Sequence, residues 1–286
     1  MNKVARVMRV SMIVNIMLAL IKIVIGYIGK SGALIADGIH SFSDLMTDLF
    51  AIIGSFLSRK PADKEHPFGH GKIEYITSIV ISVVIIFLGL FIIYSSQNRN
   101  VAVPSILVAI VTIFTIITKY ILANYIIKNG IKYNSNILIS SGHESKTDVY
   151  SSLVVLASSI FMLYSDKVKI FKYADVIAMI IVGLFIIRTG FKLLKENIST
   201  ILGEVETNQE EIDKVRNRIL QNNQIKSVDA ILLLKYGTYY KLICEVSMDE
   251  KETLKEVHDC IEKLERKLKK QKRIKYVTIH VNPIKE

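Results

Sequence analysis

His40 and Asp44 lie four residues apart inside an otherwise apolar stretch, Ala33 to Leu57, that is long enough to span a bilayer. Ionisable groups at that depth are costly to hold in hydrocarbon, so they mark a functional site by default. Asp37 and Asp48 share the stripe. At about 100° per residue, Asp37, His40, Asp44 and Asp48 fall within roughly an 80° arc of one helix face. One imidazole among three carboxylates is a donor set for a divalent cation. The bland alternative is a polar seam bonding neighbouring helices. Such seams commonly use Ser, Thr or Asn, and three carboxylates make one expensive.

A second polar intrusion runs from Ser140 to Asp148 at the head of the fifth long helix. Glu144 and Asp148 are four apart and share a face, with His143 about 100° round from Glu144. Bundle metal sites take a pair of ligands from each of two facing helices. His40, Asp44, Glu144 and Asp148 would form such a set, with one nitrogen and the rest oxygen. Zn²⁺ accepts it tetrahedrally, and Mn²⁺ or Fe²⁺ with added water. Lys146 lies on another face. The alternative for this segment is a loop preceding a shorter helix.

These side chains need a membrane scaffold, and the composition supplies one. Of 286 residues, 51% are hydrophobic, the mean hydropathy is +0.38, and the excess comes in blocks. The blocks, about 8–28, 33–57, 74–96, 101–126, 137–164 and 174–194, make six membrane helices of about 20 residues or more. The basic N-terminus resembles a signal peptide, but Lys22 interrupts the first run and five blocks follow, so the first helix is expected to be retained. The net charge of +11 is read as orientation signal and lipid contact. Nucleic acid is not an expected partner, since Trp is absent and no RNA-type motif occurs. Lys3, Arg6 and Arg9 precede the first helix, and Arg59, Lys60, Lys64 and Lys72 occupy the second loop. Lys128 and Lys132 sit in the fourth loop, and Lys192 and Lys195 follow the last helix. The first and third loops carry little more than Lys30 and Arg99, so both termini are expected in the cytoplasm. The fifth loop, with Lys167, Lys169 and Lys172, dissents.

After about residue 200 the periodicity changes. A helix over Glu210–Leu220, strands over Ser227–Lys235 and Tyr239–Met248, a charged amphipathic helix over Thr253–Lys270 and a strand over Arg273–Val281 are expected. This αββαβ order fits a ferredoxin-like α+β domain with helices on one face of a sheet. The expected fold is thus an α-helical membrane protein, with a six-helix bundle over residues 1–200 and a C-terminal domain over 205–286. Cys244 and Cys260 fall in that domain without metal-motif spacing, and a disulfide is not expected.

Three motifs carry a resemblance. The run Gly32 to Asp44, GALIADGIHSFSD, resembles the second-helix signature of the cation diffusion facilitator family. His66 to Glu74, HPFGHGKIE, is similar to the signature between its second and third helices. Thr147 to Ser152, TDVYSS, resembles its fifth-helix motif. Six helices followed by an αββαβ tail extend the resemblance over nearly the whole chain. It implies a homodimeric exporter, in the plasma membrane of a bacterial cell, that moves a divalent metal out of the cytoplasm in exchange for protons.

By the same resemblance His40, Asp44 and Asp148 fall on transport-site positions. The fourth position, commonly His or Asp, is Glu144 here: either Glu144 binds, or a local distortion brings His143 round, and helical spacing favours Glu144. Asp63, His66 and His70 fall on an accessory zinc site, with Pro67 and Gly69 arguing for a loop. The alternative there is an exposed loop with unbound histidines. In the tail, His258 and His280 align with metal-binding positions, Asp229 sits where another ligand is often found, and Glu245 lies on a nearby strand. Asn282 replaces a common acid, which weakens that site. Lys72 resembles a lysine that pairs with an acid at the junction of membrane and tail, and Glu204 is the candidate partner here.

Ligand chemistry supplies the expected cycle. Carboxylates and a neutral imidazole bind metal only when deprotonated, so capture releases protons and protonation ejects metal. His40 is the expected proton carrier, its unperturbed pKa of about 6.5 lying near working pH. The rival is a membrane sensor or scaffold that binds metal and moves none. An enzyme is not expected, as there is no P-loop and no H-E-x-x-H motif.

Overall fold

Prolines stand at 61, 67, 104 and 283, and Pro104, which falls within an apolar run, lies at its start and before the first residue of the helix that run forms, so no helical ladder is interrupted. The computed structural model describes residues 3–97, 103–133, 135–271 and 273–284. Arg99, and residues 101 and 102 where the fourth span was expected to begin, lie outside the described residues. Six long helices follow one another: α1 Lys3–Ile28, α2 Gly32–Leu57, α3 Ile73–Gln97, α4 Ile106–Lys132, α5 Asn136–Leu163 and α6 Ala174–Ile201. A 3₁₀ turn over Lys169–Tyr173 leads into α6. Among the described residues, five segments are long and apolar enough to cross a membrane, α6 being counted with its 3₁₀ turn. The remaining helix, α2, has 26 residues and differs by carrying Asp37, Asp44 and Asp48. Large apolar side chains such as Phe56, Phe87, Phe91 and Phe114 are exposed along these helices, as a lipid-facing surface requires.

The chain divides into two compact units, Met1–Leu49 with Ile81–Leu193, and Phe50–Val80 with Leu194–Glu286. The second unit therefore takes in more than the tail expected from residue 205. It also holds the end of α2, the loop after it and the start of α3.

Within the first unit, glycines set helix pairs close together, because lipid supplies no hydrophobic drive and van der Waals fit must do the work. A Cβ on Gly38 of α2 would lie 2.6 Å from Ile23 of α1. One on Gly142 of α5 would lie 2.4 Å from Ile127 of α4, and one on Gly190 of α6 would lie 2.7 Å from Ile86 of α3. The start of α2 is fixed by buried Asp175 of α6, whose carboxylate accepts from the Ser31 hydroxyl and from the Gly32 and Ala33 amides.

In the second unit, α7 (Gln209–Ile219), β1 (Ile225–Tyr236), β2 (Tyr239–Asp249), α8 (Leu254–Lys269) and β3 (Ile274–Ile284) realise the αββαβ order. β2 lies centrally, antiparallel to β1 and parallel to β3. The parallel pair needs a crossover, which α8 provides. The β1–β2 hairpin turns at Gly237, whose φ of 63° suits glycine. α8 begins with a capping box, Thr253 and Glu256 each satisfying the other's backbone amide. Val215 and Ile219 of α7 and Cys260, Leu264 and Leu268 of α8 pack on Leu242, Cys244, Val246 and Met248 of the central strand. Pro283 sits in β3, at the sheet edge, where a missing amide is tolerated.

Candidate metal centre

Helical spacing of four stacks His40 and Asp44 of α2 on one face, and α5 brings Asp148 to them. Each of the three offers one ligand atom, and these atoms lie within 4.8 Å of one another. His40 is buried and Asp148 nearly so. His40 Nδ1 stands 3.9 Å from Asp44 Oδ1. Neither His40 Nδ1 nor Asp44 Oδ2 has a hydrogen-bond partner among the described residues, although both atoms are buried. Buried polar atoms normally find partners, and an unpartnered imidazole nitrogen and carboxylate oxygen on neighbouring turns of one helix suit ligand atoms.

The other members of the expected set are placed differently. Asp37 is committed: Lys22 Nζ of α1 lies 2.8 Å from its Oδ2, and Ser151 and Ser152 of α5 donate to it at 2.6 and 2.7 Å. Asp48 is exposed. Glu144 is exposed and stands outside the three-residue group, with Asp148, Asp48, Lys192 and Lys119 as the charges facing it. Its spacing of four from Asp148 puts it on the same face, one turn away along α5, rather than at the same level. His143 is exposed and outside the group.

A side chain that sequence reasoning passed over is Lys119 of α4, only 4% exposed, with Nζ 2.8 Å from Asp148 Oδ2. The signal that finds it is the same one that singled out α2, an ionisable group within an apolar span.

The second group lies in the loop between α2 and α3. His66 donates its backbone amide to Asp63 Oδ1 at 2.7 Å, and His66 Nδ1 is 3.1 Å from that oxygen. His70 Nε2 is 3.4 Å from Asp63 Oδ2. His70 Nδ1 lies 3.1 Å from the Pro61 carbonyl oxygen, an acceptor that favours a proton on Nδ1, and Nε2 is turned to Asp63. The His66 amide and nearby imidazoles hold the Asp63 carboxyl below its ordinary range. Asp63, His66 and His70 thus meet, on the loop that Pro67 and Gly69 (φ 74°) impose. That loop is seated on the hairpin. Tyr239 donates its hydroxyl to the Phe68 carbonyl at 2.7 Å and accepts from the Gly71 amide at 3.2 Å. A Cβ at Gly71 would lie 2.3 Å from the Tyr236 carbonyl oxygen.

Lys72 does not pair with Glu204. Its ammonium donates to the Ile201 carbonyl at 3.0 Å, at the end of α6, and lies 5.0 Å from the Tyr236 ring centroid. Gly203, with φ 105°, turns the chain there, and Glu204 pairs with Lys235 instead. In the sheet, Asp229, Glu245 and His280 lie on the face opposite the core. The Asp229 carboxylate is taken up by Ser227, Ser247 and Asn282. His280 is in register with Glu245. His258 rides on α8, which packs on the other face, so the structure does not bring Asp229, His258 and His280 together. Cys244 and Cys260 are free thiols in the core, and burial pushes Cys244 up to about 11.

Among the described residues, six long helices and a small α+β domain define a multi-pass membrane protein, with an acid-and-imidazole cluster between two of the helices. Residues 8–202 match the family model of the cation efflux transmembrane domain, and residues 207–284 that of the cation efflux protein cytoplasmic domain. The chain belongs to the cation efflux, or cation diffusion facilitator, family, whose members are divalent metal transporters rather than enzymes. It is 30% identical to the manganese efflux system protein MneP of Bacillus subtilis (strain 168), over 97% of this chain and 95% of that protein. It is also 30% identical to an uncharacterized transporter of Methanocaldococcus jannaschii, over 99% of each. Identity is 25% to the manganese efflux system protein MneS of Bacillus subtilis (strain 168), over 97% and 94%.

Proposed function

We propose that this chain exports Mn²⁺ across the plasma membrane of a bacterial cell, in exchange for protons. The observation that carries the reading is the group His40, Asp44 and Asp148, with one ligand atom each inside 4.8 Å and two buried atoms without hydrogen-bond partners. The donor types alone put Zn²⁺ first. Two relatives named for manganese efflux move Mn²⁺ ahead of it, and a carboxylate-rich set suits that harder ion. Glu144 and Asp48, one turn from the group on their helices, serve as outer carboxylates on the metal's route. Metal capture strips protons from the site, and protonation from the far side ejects the metal. His40 is the main proton carrier, and helix rocking exposes the site to one side at a time. Both termini face the cytoplasm, and two copies associate through the tail domain. Asp63, His66 and His70 bind a Zn²⁺ that stays in place and braces the loop, the tautomer of His70 leaving Nε2 as the donor.

The test is metal uptake into proteoliposomes with an acidic lumen, comparing Mn²⁺ with Zn²⁺ for wild type, Asp148→Ala and His40→Ala. Mn²⁺ flux driven by the pH gradient, lost in Asp148→Ala and with altered pH dependence in His40→Ala, is expected. Faster Zn²⁺ flux would reassign the cargo. No flux of either metal with binding intact would make the protein a membrane sensor.

A further inference from the structure

The site already holds one cation of its own. Lys119 Nζ sits 2.8 Å from Asp148 Oδ2, nearly sealed from solvent, and Asp44 also faces it. α4 cannot readily carry this ammonium away. Gly142 of α5 lets α4 approach until a Cβ there would lie 2.4 Å from Ile127 and 3.1 Å from the Ala123 carbonyl. Gly130 of α4 meets Ile139 of α5 in the same way at 2.8 Å. The backbone of α4 is therefore held beside Asp148, so a move of the ammonium off Asp148 has to come from the rotatable four-carbon stem of Lys119.

From this geometry we infer that Lys119 is a tethered counter-cation, a positioning residue that holds Asp148 when no metal is bound and is displaced when metal binds. This inference rests on the reading of His40, Asp44 and Asp148 as the transport site. An ammonium has three donors and no acceptor, so it cannot share a metal's coordination sphere as a ligand. An ammonium and a divalent ion on one carboxylate repel each other strongly, and one must give way. Loading is then an exchange of a fixed charge for a mobile one. Release is helped by the ammonium returning to Asp148, which spares the empty site an uncompensated carboxylate at membrane depth. The lysine weakens binding so that the metal can leave.

The experiment is isothermal titration of full-length protein with Mn²⁺ in detergent, for wild type, Lys119→Gln and Lys119→Arg, with saturated flux measured on the same preparations. Lys119→Gln removes the competitor, so Kd is expected to fall at least about tenfold while turnover at saturating Mn²⁺ drops. Lys119→Arg offers Asp148 a planar, two-pronged partner, so Kd is expected to rise at least about tenfold. A lysine that merely props up Asp148 would give the reverse for Lys119→Gln, weaker binding, and that result overturns the inference. Should Lys119→Gln fail to fold, Lys119→Arg decides alone, and an unchanged Kd there overturns it. Wild type that binds no Mn²⁺ and moves none removes the transport reading as well. Binding in wild type without the expected order of variants removes only the role of Lys119.

Discussion

Among the described residues of the helical unit, the lysine–aspartate pairs Lys22–Asp37 and Lys119–Asp148 each have nitrogen and oxygen 2.8 Å apart, and they are built differently. Lys22 and Asp37 have side chains only 1% exposed. Both Asp37 oxygens accept bonds, from Ser151, Ser152 and Lys22, and Lys22 donates in addition to Ser41 and Ser152. This network ties α1, α2 and α5 together and engages both carboxylate oxygens of Asp37. Lys119 and Asp148 share one contact, and beside them His40 Nδ1 and Asp44 Oδ2 lack hydrogen-bond partners among the described residues. Depth in the membrane does not separate a strut from a site. The number of partners each charge already has does.

The sharpest way to break that contrast is to remove one acid from each pair. Asp37→Leu strands a buried ammonium, and losing one partner of a buried pair costs about 3–5 kcal/mol. The expected outcome is loss of monodisperse protein, or a Tm far below wild type, in a fluorescence melt. The double variant Lys22→Met with Asp37→Leu removes both charges and is expected to recover most of the stability. Asp148→Asn leaves Lys119 facing Asp44, so its Tm is expected to fall much less than that of Asp37→Leu while Mn²⁺ flux disappears. If the two single variants melted alike, both pairs would be struts and the site would need another location.

The sequence carries half of this contrast. Apolar runs of bilayer length, and prolines confined to loops and an edge strand, made six helices legible, and alternation in the tail made the αββαβ order legible. The strand expected over Ser227–Lys235 is β1 with a residue or two added at each end. The stripe on α2 was legible because four ionisable groups confined to roughly an 80° arc of an apolar helix are too costly to be incidental. What each carboxylate is bonded to was not legible, because a partner such as Lys22 arrives from a different helix. Lys22 therefore read as an interruption of the first run, when it is the counter-ion of Asp37. Glu144 shares a face with Asp148 by spacing, yet spacing says nothing about which turn of α5 lies level with His40. Lys72 and Glu204 could not be assigned from sequence because the positive φ of Gly203 decides where Glu204 points.

A smaller effect is expected outside the membrane helices, at the loop group. His70 is buried, with Nδ1 bonded to the Pro61 carbonyl, whereas His66 and Asp63 are exposed. His70→Ala is therefore expected to abolish Zn²⁺ binding at the loop, and His66→Ala only to weaken it, about tenfold against wild type. Both should leave Mn²⁺ flux within about threefold of wild type, because the loop braces a hairpin and binds no cargo in this reading. Competition with a zinc-chelating dye, followed by flux on the same protein, checks both statements. Flux lost in step with Zn²⁺ binding would put the loop on the transport route.

The smallest effect belongs to a third pair, Lys235 and Glu204, whose side chains are 30% and 34% exposed. Here water competes for both charges, and exposed pairs are worth about 0.2–1 kcal/mol. The bond from Lys235 holds the Glu204 carboxyl below its ordinary value. A depressed folded-state pKa means the stabilisation is fully present above the unfolded value, about 4.3, and is lost as pH falls through the folded value. Glu204→Gln should therefore lower Tm slightly at pH 7 and by less near pH 3, below the unfolded value, where part of the stabilisation has gone. A Tm deficit of equal size at both pH values would show that the carboxyl acts through packing and its bond to Thr200 rather than through its charge. The three pairs would then no longer form a series in which the same two charges matter more as their alternatives to each other are taken away.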